Sequence, residues 1–159
     1  IKLSSAGNIL YWSERVGRGQ SLFWMPKFRT MYTDTPPLAT HLLSDIDNRL
    51  TFFGKFLRKT SLDELPQLFS IFKGDMSFVG PRPALFNQED LINLRLESGV
   101  NELIPGLTGW AQINGRDNIP IEKKAEFDLE YLQKRSLFFD LKIIFFTIFN
   151  TLASKDISH

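Results

Sequence analysis

The sequence predicts an α+β domain, rich in helix, with an N-terminal β-hairpin and several short amphipathic helices. Three observations lead there. Two β-rich stretches, NILYWSERV at 8–16 and SLFWMPKFRTM at 21–31, flank the turn signal Gly17-Arg18-Gly19. Apolar residues then recur near helical spacing through 49–73, RLTFFGKFLRKTSLDELPQLFSIFK. The tail from Ile121 to about Thr151 reads as two helices with a break near Ser136. At 159 residues the chain has the length of one domain with one core.

Each element has a local reason. Pro26 demotes part of the second strand to an edge or a bulge. Residues 32–48 read as loop, stiffened by Thr35-Pro36-Pro37. The first short helix sets Phe52, Phe53, Phe56 and Leu57 on one side, and Lys55, Arg58 and Lys59 on the other. The second runs through Leu62, Leu65, Leu68, Phe69 and Phe72, and Gly74 ends it. Gly80 and Arg82 each precede a proline, so Gly80-Pro81-Arg82-Pro83 is a stiff extended arm. A helix follows from about Asn87 to Ser98, and Pro105-Gly106 and Gly109 make a turn-rich stretch before Trp110. In Leu137–Phe149, 10 of 13 residues are apolar, but the segment is short of the roughly 20 a spanning helix needs and carries Asp140 and Lys142. Its polar residues, Asp140, Thr147, Asn150 and Thr151, form a narrow helical stripe. A core helix is the first reading. A helix against the bilayer surface or other membrane-embedded protein is the second.

Composition excludes several functions. With 19 basic and 18 acidic residues the net charge is +1, which argues against a nucleic-acid partner. There are no cysteines, hence no disulfides, thiolate metal sites or cysteine nucleophiles. Only His41 and His159 offer imidazole, too few for a histidine-rich zinc site. The 15 phenylalanines are many for this length. The start at Ile1, without Met, reads as that of a fragment.

The chemistry concentrates between Arg58 and Arg82. Asp63 and Glu64 are adjacent acids at a predicted helix start, and Ser61 with Glu64 fits a capping box. That assignment puts Pro66 inside the helix, whereas a start at Asp63 leaves it in the tolerated first turn. Either way the helix dipole favours both carboxylates as ions. Capping alone accounts for an isolated Asp-Glu pair. Here Arg58 and Lys59 lie five and four residues before Asp63, and the Arg82 arm lies beyond. An ionised Asp attacks phosphorus and splits one transfer into two steps. A neighbouring Glu holds Mg²⁺, which bridges substrate phosphates, and arginine forks grip phosphate oxygens. No Walker A or GxGxxG pattern is present.

These residues fall in the motif FLRKTSLDELPQLFSIFKGDMSFVGPRP at 56–83, one of four with ERVGRG at 14–19, PKFRTM at 26–31 and PGLTGWAQINGR at 105–116. With the FDLEYL and RSLFFDLKI segments of the tail, they make the chain resemble the bacterial sugar transferases, the monotopic phosphoglycosyl transferases, over nearly its whole length. The resemblance implies a single catalytic domain over 1–159 whose short amphipathic helices face the membrane. It implies a cytoplasmic-face enzyme of the bacterial inner membrane that moves sugar-1-phosphate from a UDP-sugar to polyprenol (undecaprenyl) phosphate and releases UMP. It further implies Asp63 as nucleophile, Glu64 as its acidic partner, and Mg²⁺ held by both. Arg58 and Arg82 match the family's arginines before the dyad and in the Pro-Arg-Pro arm, the latter taken to grip phosphate. Lys27 and Arg29 match a basic pair assigned to substrate phosphate or to structural support. Gln112, Asn114 and Arg116 lie in a segment near the active face, with substrate contact as one role and turn formation as the alternative for Asn114. Trp110 is expected in the core. The family's N-terminal re-entrant helix would precede Ile1. Two other functions are weighed: a non-catalytic membrane-surface module using Lys55, Arg58, Lys59 and the phenylalanines, and a glycosyltransferase that releases UDP.

Overall fold

The computed structural model describes residues 1–35, 46–115 and 119–153. Strands β1 (Leu10–Val16) and β2 (Leu22–Phe28) form an antiparallel ribbon, in register from Leu10 opposite Phe28 to Val16 opposite Leu22. Phe23 and Met25 are buried on one face of β2, while Leu22 and Trp24 are exposed on the other. Pro26 sits in regular register opposite Trp12, without a bulge. A two-stranded ribbon consists of edges, where proline is tolerated.

Of the predicted loop at 32–48, the described part ends in a helical turn, α1 (Ile46–Arg49). Helix α2 (Phe52–Lys59) starts at Thr51, whose hydroxyl accepts from the Gly54 N–H at 2.9 Å. Gly54 lies against the Thr30 carbonyl, and a Cβ there would collide with it. The expected second helix is divided. A 3₁₀ turn (Leu62–Gln67) contains Pro66 and leads into α3 (Leu68–Lys73). Gly74, at φ 90°, ends α3 as predicted. The capping box does not form. Ser61 is left-handed at φ 56° and makes no side-chain cap bond, because the chain must reverse directly off the end of α2. A capping serine needs extended backbone instead.

Strand β3 (Ser77–Val79) pairs in parallel with β4 (Gly106–Thr108). Between them lie the extended Pro81–Ala84 arm and α4 (Glu89–Glu97). The stretch at 105–109, expected to turn, is thus partly a strand. A Cβ at Gly106 would strike the Gly80 backbone, and one at Gly109 the Gly80 carbonyl. The glycines there serve the close approach of two backbones. After α5 (Trp110–Ile113) come α6 (Ile121–Lys134) and α7 (Leu137–Ala153), broken at Arg135-Ser136 as expected. The main core joins Val79, Val100, Leu103, Tyr131 and Ile143. Trp110 packs at its edge against Phe127 and Phe139 and donates to Glu130 at 2.7 Å.

Helix α7 is amphipathic in the inverted sense. Asp140 accepts from the Tyr131 hydroxyl at 2.8 Å, and Thr147 meets the Thr108 hydroxyl at 2.6 Å, so the polar stripe faces the domain. Ile143 is fully buried, but Leu137, Phe138, Leu141, Phe145, Ile148 and Phe149 are exposed. The pure core-helix reading is corrected accordingly. Phe52, Phe56, Phe69 and Phe72 are likewise exposed on α2 and α3, Phe72 to 94%. Among the described residues, no helix is long and apolar enough to cross a membrane.

Candidate active site

The 3₁₀ turn packs against β2 and carries both acids. Glu64 is clamped by two cations on one oxygen. Lys27 Nζ donates to Oε1 at 2.8 Å, and Arg82 Nη2 donates to the same atom at 3.0 Å. Arg82 and Lys27 hold the Glu64 carboxyl far below its ordinary range, outweighing the opposing effect of burial. Lys27 itself is pulled down, because burial outweighs the attraction of Glu64.

Asp63 behaves oppositely. It is 9% exposed, and burial pushes its carboxyl up, although Lys27 and Arg58 pull against that. The neighbouring Glu64 charge pushes it up further. The dipole argument therefore holds for neither acid alone: cations decide Glu64, and desolvation decides Asp63.

Thr30 sets Arg58. Its hydroxyl accepts from Arg58 Nε at 3.0 Å, and its carbonyl accepts from the Thr51 N–H at 2.9 Å, tying α2 to the end of β2. Asp63, Glu64, Lys27, Arg58 and Arg82 line one cavity of about 790 Å³. Its lining also includes an apolar set, Leu65, Leu68, Phe78, Ile144 and Ile148, beside polar residues such as Arg15, Thr108, Gln112 and Asn150. The cavity thus offers a charged wall and an oily wall to one ligand.

The sequence that builds this site matches a known family. Residues 1–154 match the family model of the bacterial sugar transferases. The chain belongs to that family. It is 43% identical to the sugar transferase EpsL of Bacillus subtilis, over 99% of this chain and 76% of that protein. It is 39% identical to the UDP-glucose:undecaprenyl-phosphate glucose-1-phosphate transferase of Escherichia coli, over 98% of this chain. It is 37% identical to the UDP-N-acetylgalactosamine-undecaprenyl-phosphate N-acetylgalactosaminephosphotransferase of Aeromonas hydrophila, over 93% of this chain. The chain spans 35% and 36% of the length of these last two relatives.

Within this bacterial sugar transferase the expected residues separate into groups. Lys27, Arg58, Asp63, Glu64 and Arg82 meet at the cavity. Arg29 also borders it, but its guanidinium is spent on Asn8, Ser5 and Met31, fastening the N-terminal segment. Of the two expected roles, these bonds are those of structural support. Gln112 lines the cavity and donates weakly to the Leu107 carbonyl at 3.4 Å, while its own Oε1 is buried without a partner. Asn114 is exposed and bonds back to the Trp110 carbonyl at 2.8 Å, closing α5, which is the turn role. Arg116 lies outside the described residues. Sequence reasoning passed over Thr30, Arg15 and the Arg95–Asp128 pair, whose partners are far away in the chain. Arg15 and Arg95 sit among other polar residues of β1 and α4, so no local signal in the sequence marks them.

For a cation the site offers two carboxylates, Asp63 and Glu64, with Oε1 of Glu64 already shared by Lys27 and Arg82. Among the described residues no cluster of three His, Cys, Asp or Glu forms a cage. Two adjacent carboxylates beside a cavity suit an ion that takes one or two carboxylates plus phosphate oxygens.

Proposed function

We propose that this chain is the catalytic domain of an enzyme that transfers sugar-1-phosphate from a UDP-sugar to polyprenol (undecaprenyl) phosphate. The observation that carries this is the split between two adjacent carboxylates. Glu64 is neutralised by two cations, while Asp63 faces the same cavity with its carboxyl raised by burial. A poorly solvated carboxylate is the more basic, and so the better nucleophile. The substrates named for the relatives agree with this chemistry.

In the first step an Asp63 oxygen attacks the β-phosphorus. The bond to the bridging oxygen breaks, and UMP leaves with that electron pair. In the second step an oxygen of the polyprenol phosphate attacks the same phosphorus, and the Asp63 carboxylate departs. Lys27, Arg58 and Arg82 offset phosphate charge throughout, as preorganised cations do in phosphoryl transfer. Asp63 and Glu64 would hold Mg²⁺, which when bound would further neutralise phosphate charge. The apolar wall of Leu65, Leu68, Ile144 and Ile148 suits the prenyl chain.

The exposed phenylalanines of α2, α3 and α7 suit contact with membrane lipid, which agrees with an enzyme working at the cytoplasmic face of the inner membrane. A purely non-catalytic membrane module is disfavoured, because Arg58 is turned to Thr30 and the cavity.

The test is nucleotide release by the intact protein in detergent with Mg²⁺, a UDP-sugar panel and undecaprenyl phosphate. UMP is the expected product. UDP would mean sugar transfer without phosphate and would overturn the Asp63 mechanism.

A further inference from the structure

The Pro81–Ala84 arm that delivers Arg82 is built from residues poorly able to hold themselves. Pro81 and Pro83 have no N–H, so no hydrogen-bond ladder can run along the segment. Its carbonyls instead find four separate donors. The Pro81 carbonyl accepts from the Gly106 N–H at 2.9 Å, and that of Ala84 from the Val16 N–H at 3.0 Å. The two between them are held by side-chain cations. Arg95 Nη1 donates to the Arg82 carbonyl at 2.9 Å, and Arg15 Nη1 donates to that of Pro83 at 3.1 Å.

Arg95 is itself fixed. Its Nε and Nη2 both donate to Asp128 Oδ2, at 3.0 and 2.6 Å, joining α4 to α6. The Asp128 side chain is 2% exposed and that of Arg95 is 11% exposed. Burying such a pair contributes little net stability, since desolvation opposes the attraction. Its geometry, however, is stiff. The planar guanidinium locks two nitrogens on the carboxylate and aims the third at one backbone oxygen. That oxygen belongs to the residue whose side chain clamps Glu64.

The geometry points to Arg95, held by Asp128, as a positioning residue that sets the backbone of Arg82 and thereby its guanidinium at the cavity. This rests on the reading of Arg82 as a phosphate-binding residue. Lysine at position 95 keeps the charge and one bond to Asp128 but cannot also reach the Arg82 carbonyl. Small displacements of a positioning group lower turnover steeply.

The test is a double-mutant cycle on the intact protein in detergent, read as UMP release with UDP-sugar, Mg²⁺ and undecaprenyl phosphate, and paired with thermal unfolding. The wild type is measured first; if it releases no UMP from any donor, the proposed function fails before the positioning role is reached. Given wild-type turnover, Arg95→Lys is expected to lower kcat/KM roughly tenfold to hundredfold. In an Arg82→Lys background the same change should cost less than about threefold, because the group it positions is already lost. Its effect on melting temperature should be equal in both backgrounds. Asp128→Asn is run in parallel and should follow the same pattern. Full turnover in Arg95→Lys, or losses that multiply independently of Arg82, would overturn the inference. So would loss of the fold in both variants, which would make the pair a stability element.

Discussion

The cavity and the exposed faces of α2, α3 and α7 handle their residues in opposite ways. At the cavity, charged groups are interlocked: Lys27 and Arg82 share one oxygen of Glu64, and Thr30 holds Arg58. On the outer faces, large apolar groups stand exposed among the described residues; Phe52 is 89% and Phe72 94% exposed. Polar residues are thus turned inward and many phenylalanines outward, most plainly on α7. The lesson is that periodicity reports which residues of a helix share a face, not which solvent that face meets. Whatever covers the apolar faces should act on binding and leave the fold alone, while changes at the cavity should act on chemistry.

Four variants break or sharpen that contrast. The largest effect is expected of Asp63→Asn, which removes the nucleophile and should lower UMP release by at least about 10³-fold. Its melting temperature should be unchanged or slightly higher, because the buried group no longer has a charge to desolvate. Retained turnover in folded Asp63→Asn protein would falsify the assignment.

Next comes Glu64→Gln, which leaves Lys27 and Arg82 without their anion and should cost about 1.5–3 kcal/mol at neutral pH. Because the Glu64 carboxyl is depressed in the fold, its contribution is present above its ordinary value of 4.5 and is lost as pH falls below that. Denaturant unfolding across that range should therefore show a shallower acid decline in Glu64→Gln than in the wild type. Parallel declines would mean that the clamp on Glu64 is not the source.

On the outer face, Phe69→Ser with Phe72→Ser should weaken sedimentation with anionic vesicles by roughly tenfold or more. Stability should move by no more than about 0.5 kcal/mol, as for surface positions. A large loss of stability instead would mean that α3 is covered by protein.

The smallest effect is expected of Arg58→Gln on the acid limb of the pH–rate profile. Asp63 must be ionised to attack, and its carboxyl is raised, so activity should climb with pH through a value above the ordinary 3.8. Arg58 pulls that carboxyl down. Its removal should move the limb further up, and a limb that stays in place or moves down would separate Arg58 from Asp63.

Much of the scaffold was legible because its signals are local. The hairpin follows from β-rich stretches around Gly17–Gly19, the end of α3 from Gly74, and the α6–α7 break from Ser136. The dyad was legible as a cluster of residue types around Arg58 to Arg82. Other features were hidden for identifiable reasons. β3 and β4 span three residues each, too short for a periodic signal, and Gly106 in β4 with the flanking Gly80 and Gly109 mimics turns. The capping box at Ser61 was a fair local reading defeated by the chain reversal after α2.

By itself, then, the sequence determined the hairpin, the two tail helices and their break, the chain order of the charged groups and the family. Each of these depends on neighbours within a turn or two, or on motif spacing. Only the tertiary structure decided that Lys27 reaches Glu64 across 37 residues, and that Arg95 reaches Asp128 across 33. It alone decided that Asp63 is raised while Glu64 is lowered, and that α7 turns its threonines inward. Desolvation and charge pairing depend on which surfaces meet, and adjacent residues on one turn can meet quite different ones.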